Sequence, residues 1–239
     1  MSAVERTEFE AAFVLHVRSY RESSQIVDLL TQHHGRVGVV ARGARRPKSA
    51  WRGLLRPFQP IRASWTGRGS LQTLLAAEPT AVGLNLEDMR LMAGFYMNEL
   101  LITLLHQGDP HPDLFAHYGA ALVALSEDEA AEPVLRRFEI SLLSEIGYGL
   151  ITDRDIVNEQ PLQPSMLYEY VADRGPVPLA KGASGALVLS GAELTAIGHG
   201  VFDEPKILGA AKRLLRAKLN WCLGGRPLKT RQVLASMQT

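Results

Sequence analysis

Five short runs rich in β-branched and aromatic residues occupy the first 80 residues, and they limit the folds open to the chain. Residues 9–18 alternate in hydrophobicity with a period of two, as in a strand with one buried face. Four further runs follow at residues 26–31, 36–41, 61–66 and 71–78, with a hairpin turn predicted at residues 32–35. Five strands in so short a stretch predict a small closed barrel of the OB type, with an open antiparallel sheet as the alternative.

The connection between the third and fourth predicted strands is long and basic. No Asp or Glu occurs between Leu29 and Ala77, and this interval contains nine basic residues. They are Arg36, Arg42, Arg45, Arg46, Lys48, Arg52, Arg56, Arg62 and Arg68. A loop that is only kept soluble normally carries both signs of charge, so the missing acids favour a surface that binds phosphates over a merely solvated face.

Aromatic residues accompany these charges. Trp51 and Phe58 lie within the basic connection, and Tyr20 and Trp65 lie in or beside predicted strands. Aromatic rings that stack on bases complement cations that neutralise phosphates in single-strand binding proteins. Trp65 is equally consistent with a place in the core.

The charge is segregated along the chain. Residues 1–80 carry 12 basic and 6 acidic side chains, residues 81–205 carry 6 and 19, and residues 206–239 carry 8 and none. The net charge of +1 therefore conceals two basic ends around an acidic middle. Lys212, Arg213 and Arg216 predict a second basic patch on the last long helix.

From residue 85 onward the hydrophobic pattern becomes helical. Asn85 is a candidate N-cap for a helix over residues 86–106, and a second helix is predicted over residues 112–125. Ser126 and Ser190 each precede a Glu by three residues, which predicts capping boxes for two later helices. The first of these helices would run to residue 146, and the last long helix would lie between Pro205 and Gly224.

The expected fold is α+β with two domains. Residues 1–80 would form the barrel and residues 81–239 a helical domain with a hairpin insertion at about 155–190. In that insertion, Pro176 and Pro178 would restrict the returning strand to an edge.

Several function classes lack support in the sequence. There is no nucleotide-binding or hydrolase motif, and the single cysteine, Cys222, allows neither an internal disulfide nor a cysteine-built zinc site. With no signal peptide or membrane span evident, we expect a cytoplasmic protein. We expect it to be no enzyme and to need no cofactor or metal.

Two segments could still suggest metal chemistry. His106, Asp109, His111, Asp113 and His117 could bind a metal, but such residues are also common in a connection between helices. Four acids could serve a metal-dependent nuclease, but they equally suit a helix start, where the helix dipole favours acids. They are Glu127, Asp128, Glu129 and Glu132.

Arg136 and Arg137 form an isolated basic pair within the acidic middle. They could pair with acids of the preceding turn, such as Glu132. Alternatively, they could form a basic rim beside Phe138 and Leu142 that receives an acidic peptide end.

Several of these segments together resemble the RecO family of bacterial DNA repair and recombination mediators. They are FVLH at 13–16, YRE at 20–22, GR at 35–36 through ARGARRPKS at 41–49, LLRPF at 54–58, RRFE at 136–139 and IGYG at 146–149. The resemblance covers essentially the whole chain and is strongest over residues 10–80 and 134–150. It implies an N-terminal OB fold, a helical middle domain and, in many members, a zinc module with four cysteines. This chain lacks those cysteines, so zinc is not carried over, and the hairpin from Tyr168 to Leu179 would be held by packing alone.

The resemblance also implies a function. RecO-like proteins bind single- and double-stranded DNA, anneal complementary strands, and act with RecR to load RecA onto strands coated by single-strand-binding protein. They also contact the acidic C-terminal tail of that coating protein. Matching motifs would make Arg42, Arg45, Arg46, Lys48, Arg52 and Arg56 DNA contacts. We choose Arg136 and Arg137 for the tail site, because a basic rim beside an apolar pocket suits a peptide that ends in acids and a carboxylate. We add Arg36, Tyr20 and Trp51 as candidate DNA contacts, and expect the protein to associate with the nucleoid. An RNA-binding OB protein is the main alternative, and a metal-dependent nuclease is another.

Overall fold

The computed structural model describes residues 6–81, 83–127, 129–180 and 182–237, with side chains described as far as residue 233. The chain divides into two compact units, Met1–Asp128 and Glu129–Thr239. The sequence places a domain boundary after residue 80, where the strands end and the helices begin. That boundary remains a prediction.

The first unit contains a closed five-stranded barrel. Its strands are β1 (Arg6–Tyr20), β2 (Ser24–Thr31), β3 (Gly35–Ala41), β4 (Pro60–Thr66) and β5 (Gln72–Pro79). They are ordered β1-β2-β3-β5-β4, and β4 closes the barrel against β1. Only β3 and β5 pair in parallel. This topology confirms the OB fold and excludes the open sheet.

The barrel core shows which residues of β1 and β3 point inward. Val37 and Val39 point inward, and Trp65 is a core residue at 2% exposure. On β1, however, Ala12 and Val14 face the core, whereas Phe9 is 56% exposed. Both faces of β1 are buried along part of its length, so its period-two pattern could not show which face points inward.

Two helices cover the outer face of β1 in the same unit. These are α1 (Asp88–Leu104) and α2 (Pro112–Ser126). Phe13, on the outer face of β1, packs against Phe115 and Tyr118 of α2 at ring-centroid distances of 5.0 and 5.2 Å. Asn98 of α1 donates from Nδ2 to the backbone oxygen of Leu15 at 2.7 Å, and its Oδ1 accepts from the Tyr118 hydroxyl at 2.6 Å. A buried polar chain therefore joins the barrel to both helices.

Two predicted helix starts are wrong. The N-cap position of α1 is Glu87 and not Asn85. Ser126 ends α2, where its hydroxyl donates to the Val123 carbonyl at 2.7 Å, and the next helix begins at Ala131. The hydroxyl of Ser126 therefore satisfies a carbonyl at a helix end and caps no helix start.

The second unit contains four helices and a small sheet among its described residues. The helices are α3 (Ala131–Glu145), α4 (Gly191–Gly198), α5 (Pro205–Cys222) and α6 (Lys229–Met237). The sheet consists of β6 (Leu167–Val171), β7 (Gly175–Pro178) and β8 (Val188–Ser190) in the order β7-β6-β8. The capping box at Ser190 and Glu193 is confirmed, and both prolines lie on the edge strand β7, as expected.

The small sheet is held by aromatic and aliphatic packing. Tyr168, Tyr170 and Leu189 are buried. The hydroxyl of Tyr168 accepts from the Gln163 amide at 2.9 Å, and that of Tyr170 accepts from the Ile151 amide at 3.1 Å. Burial raises the pKa of Tyr170 to about 12. Tyrosines and apolar side chains do not offer a zinc ion its usual sulfur or imidazole ligands, so these residues do not fit the metal of the four-cysteine module.

Candidate nucleic-acid interface

The connection from β3 to β4, residues 42–59, is the basic loop. Successive turns order it, including hydrogen bonds from the Arg46 amide to the Gly43 carbonyl and from the Ser49 amide to the Arg46 carbonyl, both at 3.0 Å. Its apolar residues Ala44, Leu55 and Phe58 are buried, and Trp51 and Leu54 pack against the barrel core. Apolar anchors therefore hold the loop on the barrel and leave its cations outside.

Six cations of the basic loop are exposed. None of them forms an ion pair with a described residue. Arg45 donates to the Glu22 carbonyl at 3.2 Å, Arg52 to the Pro47 carbonyl at 3.4 Å, and Arg56 to Gln59 Oε1 at 3.4 Å. These neutral acceptors orient the guanidinium groups without cancelling their charge. The six are Arg42, Arg45, Arg46, Lys48, Arg52 and Arg56.

An arginine groove of about 520 Å³ lies beside the start of the basic loop. Arg42 and Arg46 line it together with Arg21, Tyr20 and Gln72. The Arg21 guanidinium lies 5.2 Å from the centre of the Tyr20 ring. Arg21 is absent from the sequence-based site, because only the fold brings the β1–β2 turn beside the basic loop. The groove combines three cations with an aromatic ring, as a phosphate-and-base surface requires.

Arg36 differs from the cations of the basic loop. Its Nη1 lies 3.4 Å from Asp28 Oδ1, and its Nε donates to the Leu105 carbonyl at 3.3 Å. Its side chain is 16% exposed. The prediction of Arg36 as a free phosphate contact is therefore corrected, because a carboxylate on the neighbouring strand already neutralises it.

The aromatic candidates separate by burial. Trp65 and Phe58 are 2% and 4% exposed, so neither can serve as a stacking platform for a base. Tyr20 and Trp51 are partly exposed and remain candidates.

The predicted basic patch on α5 is only partly free. Lys212 Nζ lies 2.6 Å from Glu132 Oε1. Arg213 and Arg216 are exposed, and neither has an ion-pair partner among the described residues. The two arginines therefore supply the available charge of this patch.

The two arginines of the basic pair on α3 differ in burial. Arg136 is 6% exposed, and its Nη2 lies 3.0 Å from Glu139 Oε1 one turn later on the helix. Phe138 and Leu142 are buried as well, so the predicted rim of Arg136 beside an open apolar pocket is wrong. Arg137 is exposed and lies 3.9 Å from Glu129, a weak surface pair.

The possible metal segment has a structural role in the first unit. Within residues 107–110, the Gly108 amide donates to the Arg36 carbonyl at 3.1 Å, so this connection covers part of the free edge of β3. Across the described part of the chain, no group of three or more His, Cys, Asp or Glu side chains is placed to hold a metal ion. Asp128, of the acidic quartet, lies outside the described residues. Among the helices that the structure describes, none is long and apolar enough to cross a membrane.

Comparison with known proteins agrees with this architecture. The family described as "Recombination protein O N terminal" matches residues 6–82, and "Recombination protein O C terminal" matches residues 89–232. The "DNA repair protein RecO" of Aromatoleum aromaticum is 42% identical over 238 residues, covering 100% of this chain and 99% of that protein. The protein of the same name from Nitrosospira multiformis is 45% identical over 235 residues, covering 98% and 97%. Two matched halves and full-length relatives show that this chain belongs to the RecO family, with a role in DNA repair and recombination.

Proposed function

We propose that this protein binds single- and double-stranded DNA through the basic loop and the arginine groove, and anneals complementary strands. The observation that supports this most directly is the set of six exposed cations on one ordered loop, none of which forms an ion pair with a residue that the structure describes. In this proposal the protein acts at the nucleoid with RecR to load RecA onto strands coated by single-strand-binding protein. It catalyses no covalent step and needs no cofactor.

Electrostatics explains how such a surface would promote annealing. Two complementary strands repel each other through their phosphates, and this repulsion slows their approach. A cationic surface that replaces condensed counterions can hold a strand and lower its repulsion toward a second one. No nucleophile, general base or metal is required for this effect.

The salt dependence of binding tests the proposal. Replacing Arg45 and Arg46 with Ala should weaken single-strand binding for every sequence. It should also reduce the slope of log K against log salt by about 1.4, because each phosphate contact contributes roughly 0.7 for a single strand. The double variant Arg154→Ala/Arg174→Ala removes the same charge from exposed positions of the second unit and should leave the slope unchanged. An unaltered slope in the Arg45/Arg46 variant would remove the basic loop from the interface.

The same assay separates DNA from RNA as the natural ligand. DNA and RNA strands of one sequence should compete similarly if the contacts are phosphates and stacked bases. A strong preference for RNA would point to a specific contact with the 2′-hydroxyl and would replace the DNA proposal.

Arg137 is our proposed contact for the acidic tail of the coating protein. Its stem lies beside Gly200, next to Val201, whose side chain is 48% exposed. A cation beside an apolar side chain suits a peptide that ends in acids and a carboxylate. Replacing Arg137 with Ala should weaken binding of an acidic-tail peptide and leave binding of naked DNA unchanged. A loss of DNA binding as well would argue against a separate tail site.

A further inference from the structure

A second cavity, which we call the histidine pocket, lies in the first unit and has a volume of about 510 Å³. It is bordered by the β2–β3 turn, the β4–β5 turn and the connection between α1 and α2. Its lining includes His33, His34, Ser70, Gln72, Gln107 and Trp65. This volume is within the usual range for small-molecule sites.

Several polar groups of this pocket have no hydrogen-bond partner among the described residues. The side chains of Gln72, Gln107 and Ser70 form no hydrogen bond with a described residue. Nδ1 of His34 is buried without a hydrogen-bond partner, since its distance of 3.6 Å to Glu10 Oε1 is too long. Gln107 and Ser70 are exposed and open to a ligand, and the buried Nδ1 of His34 lacks a partner that a ligand can supply.

The chemistry of the pocket favours a base over a phosphate. Its only arginine, among the lining residues, is Arg36, which is already engaged by Asp28 and the Leu105 carbonyl. The acid Glu10 lies 3.2 Å from His33 Nδ1, which disfavours a phosphate nearby. Carboxamides offer both donors and acceptors, as the Watson–Crick edge of a base requires. The His34 ring, edge-on to Trp65 at 5.5 Å, supplies an aromatic wall.

The histidine pocket adjoins the arginine groove. Gln72 lines both cavities, and β3 runs from Arg36 in the pocket to Ala41 beside Arg42 in the groove. Six residues of strand span roughly 20 Å. A strand with the spacing of duplex DNA, about 3.4 Å per nucleotide, covers that length with about six nucleotides, and a more extended single strand covers it with fewer.

We propose that the histidine pocket binds an unstacked base of a single DNA strand whose phosphates lie in the arginine groove. This inference rests on the proposed function of the groove and adds a base subsite to it. The carboxamides of Gln72 and Gln107 contact the edge of the base, and the imidazole of His34 lies beside its face.

The test compares a 12-nucleotide strand of thymidines with an abasic strand of equal length and charge. Replacing Gln107, which lines the pocket but not the groove, with Ala should lower the affinity for the thymidine strand about two- to tenfold, since one hydrogen bond is lost. The abasic strand should bind the variant and the unaltered protein equally. Gln160→Ala, at an exposed glutamine of the second unit, is the matched control and should change neither affinity.

Fluorescence gives a second readout that leaves the two glutamines intact. In a protein with Trp51→Phe and Trp221→Phe, emission comes from Trp65 beneath the pocket. The thymidine strand should quench this emission, and the abasic strand should not.

The possible failures are distinguishable. An equal loss of affinity for both strands would mean that the pocket contacts the backbone, and it would overturn the base assignment. If neither strand loses affinity but the Arg45/Arg46 variant has a reduced salt slope, the proposed base subsite is wrong and the proposed phosphate-binding groove stands. An unchanged slope in that variant would instead contradict the proposed function itself.

Discussion

At the scale of single residues, Asn98 joins the barrel to its helices. Its carboxamide donates to the Leu15 carbonyl and accepts from the Tyr118 hydroxyl, in a site where all three groups are buried. A buried polar group that loses its partner costs about 1–3 kcal/mol, because it gave up hydration without compensation. These two hydrogen bonds therefore explain why a polar residue occupies this position on an otherwise apolar helix face.

We expect Asn98→Ala to lower the free energy of unfolding by about 2–3 kcal/mol in urea titrations. Tyr118→Phe should cost less, because it removes one partner and leaves the ring in place. Asn158→Ala, at an exposed position, is the control and should change stability by less than about 0.5 kcal/mol. An Asn98 variant as stable as that control would show that the buried chain contributes nothing.

Tyr170 makes stability depend on alkaline pH. Burial raises its pKa to about 12, so the folded state retains a phenolic proton that the unfolded chain loses near pH 10. Its contribution is fully present below about pH 10 and disappears as the pH rises through about 12. The difference in unfolding free energy between the unaltered protein and Tyr170→Phe should therefore shrink by about 2–3 kcal/mol across that window.

Urea titrations at several pH values between 8 and 12 measure this difference. Tyr148→Phe, at a half-exposed ring, is the matched control. If the difference in unfolding free energy between Tyr170→Phe and the unaltered protein stays constant with pH, burial does not raise the pKa of the Tyr170 phenol.

At the scale of elements, the β2–β3 hairpin fits closely against the connection between α1 and α2. Gly35 has a φ of +63°, and a Cβ there would lie 2.0 Å from the Asp109 backbone oxygen. Gly53 in the basic loop has a φ of +78°, but a Cβ there would meet nothing within 4 Å. The two glycines share a left-handed conformation and differ in crowding.

Alanine at these two positions separates conformational strain from crowding. Gly53→Ala should cost about 1 kcal/mol, the strain of a left-handed alanine. Gly35→Ala should cost clearly more, because backbone must also move away from backbone. Thermal unfolding of both variants gives the comparison, and equal losses would mean that the hairpin and the connection are not tightly packed.

The elements also show what sequence patterns can predict. The five barrel strands and α2 were predicted within three residues of their ends, because their hydrophobic periods and turn residues are local signals. The capping spacing at Ser190 predicted a helix start correctly, whereas the same spacing at Ser126 did not. The difference arises because α2 continues through Ser126, and a four-residue spacing does not reveal whether a helix begins or ends there.

At the scale of the whole molecule, the charge segregation of the sequence predicted the basic loop but not which basic residues outside it are neutralised. Asp28 neutralises Arg36 from the adjacent strand, and Glu139 engages the buried Arg136. Pairings between strands and burial on a helix follow from tertiary packing, which charge counting does not include. Arg21 was missed for the same reason, since the fold alone brings it to the arginine groove.

The two basic regions, one in each compact unit, lead to a prediction about annealing. If the groove holds one strand and Arg213 and Arg216 help to hold a second, replacing both α5 arginines with Ala should slow annealing several-fold. Single-strand affinity at the groove should change little, because the basic loop retains all its cations. Annealing of a fluorescent strand pair, followed beside direct binding, measures both quantities. The matched control, Arg154→Ala/Arg174→Ala, should anneal at the unaltered rate. An unchanged rate in the α5 variant would assign both strands to the barrel unit.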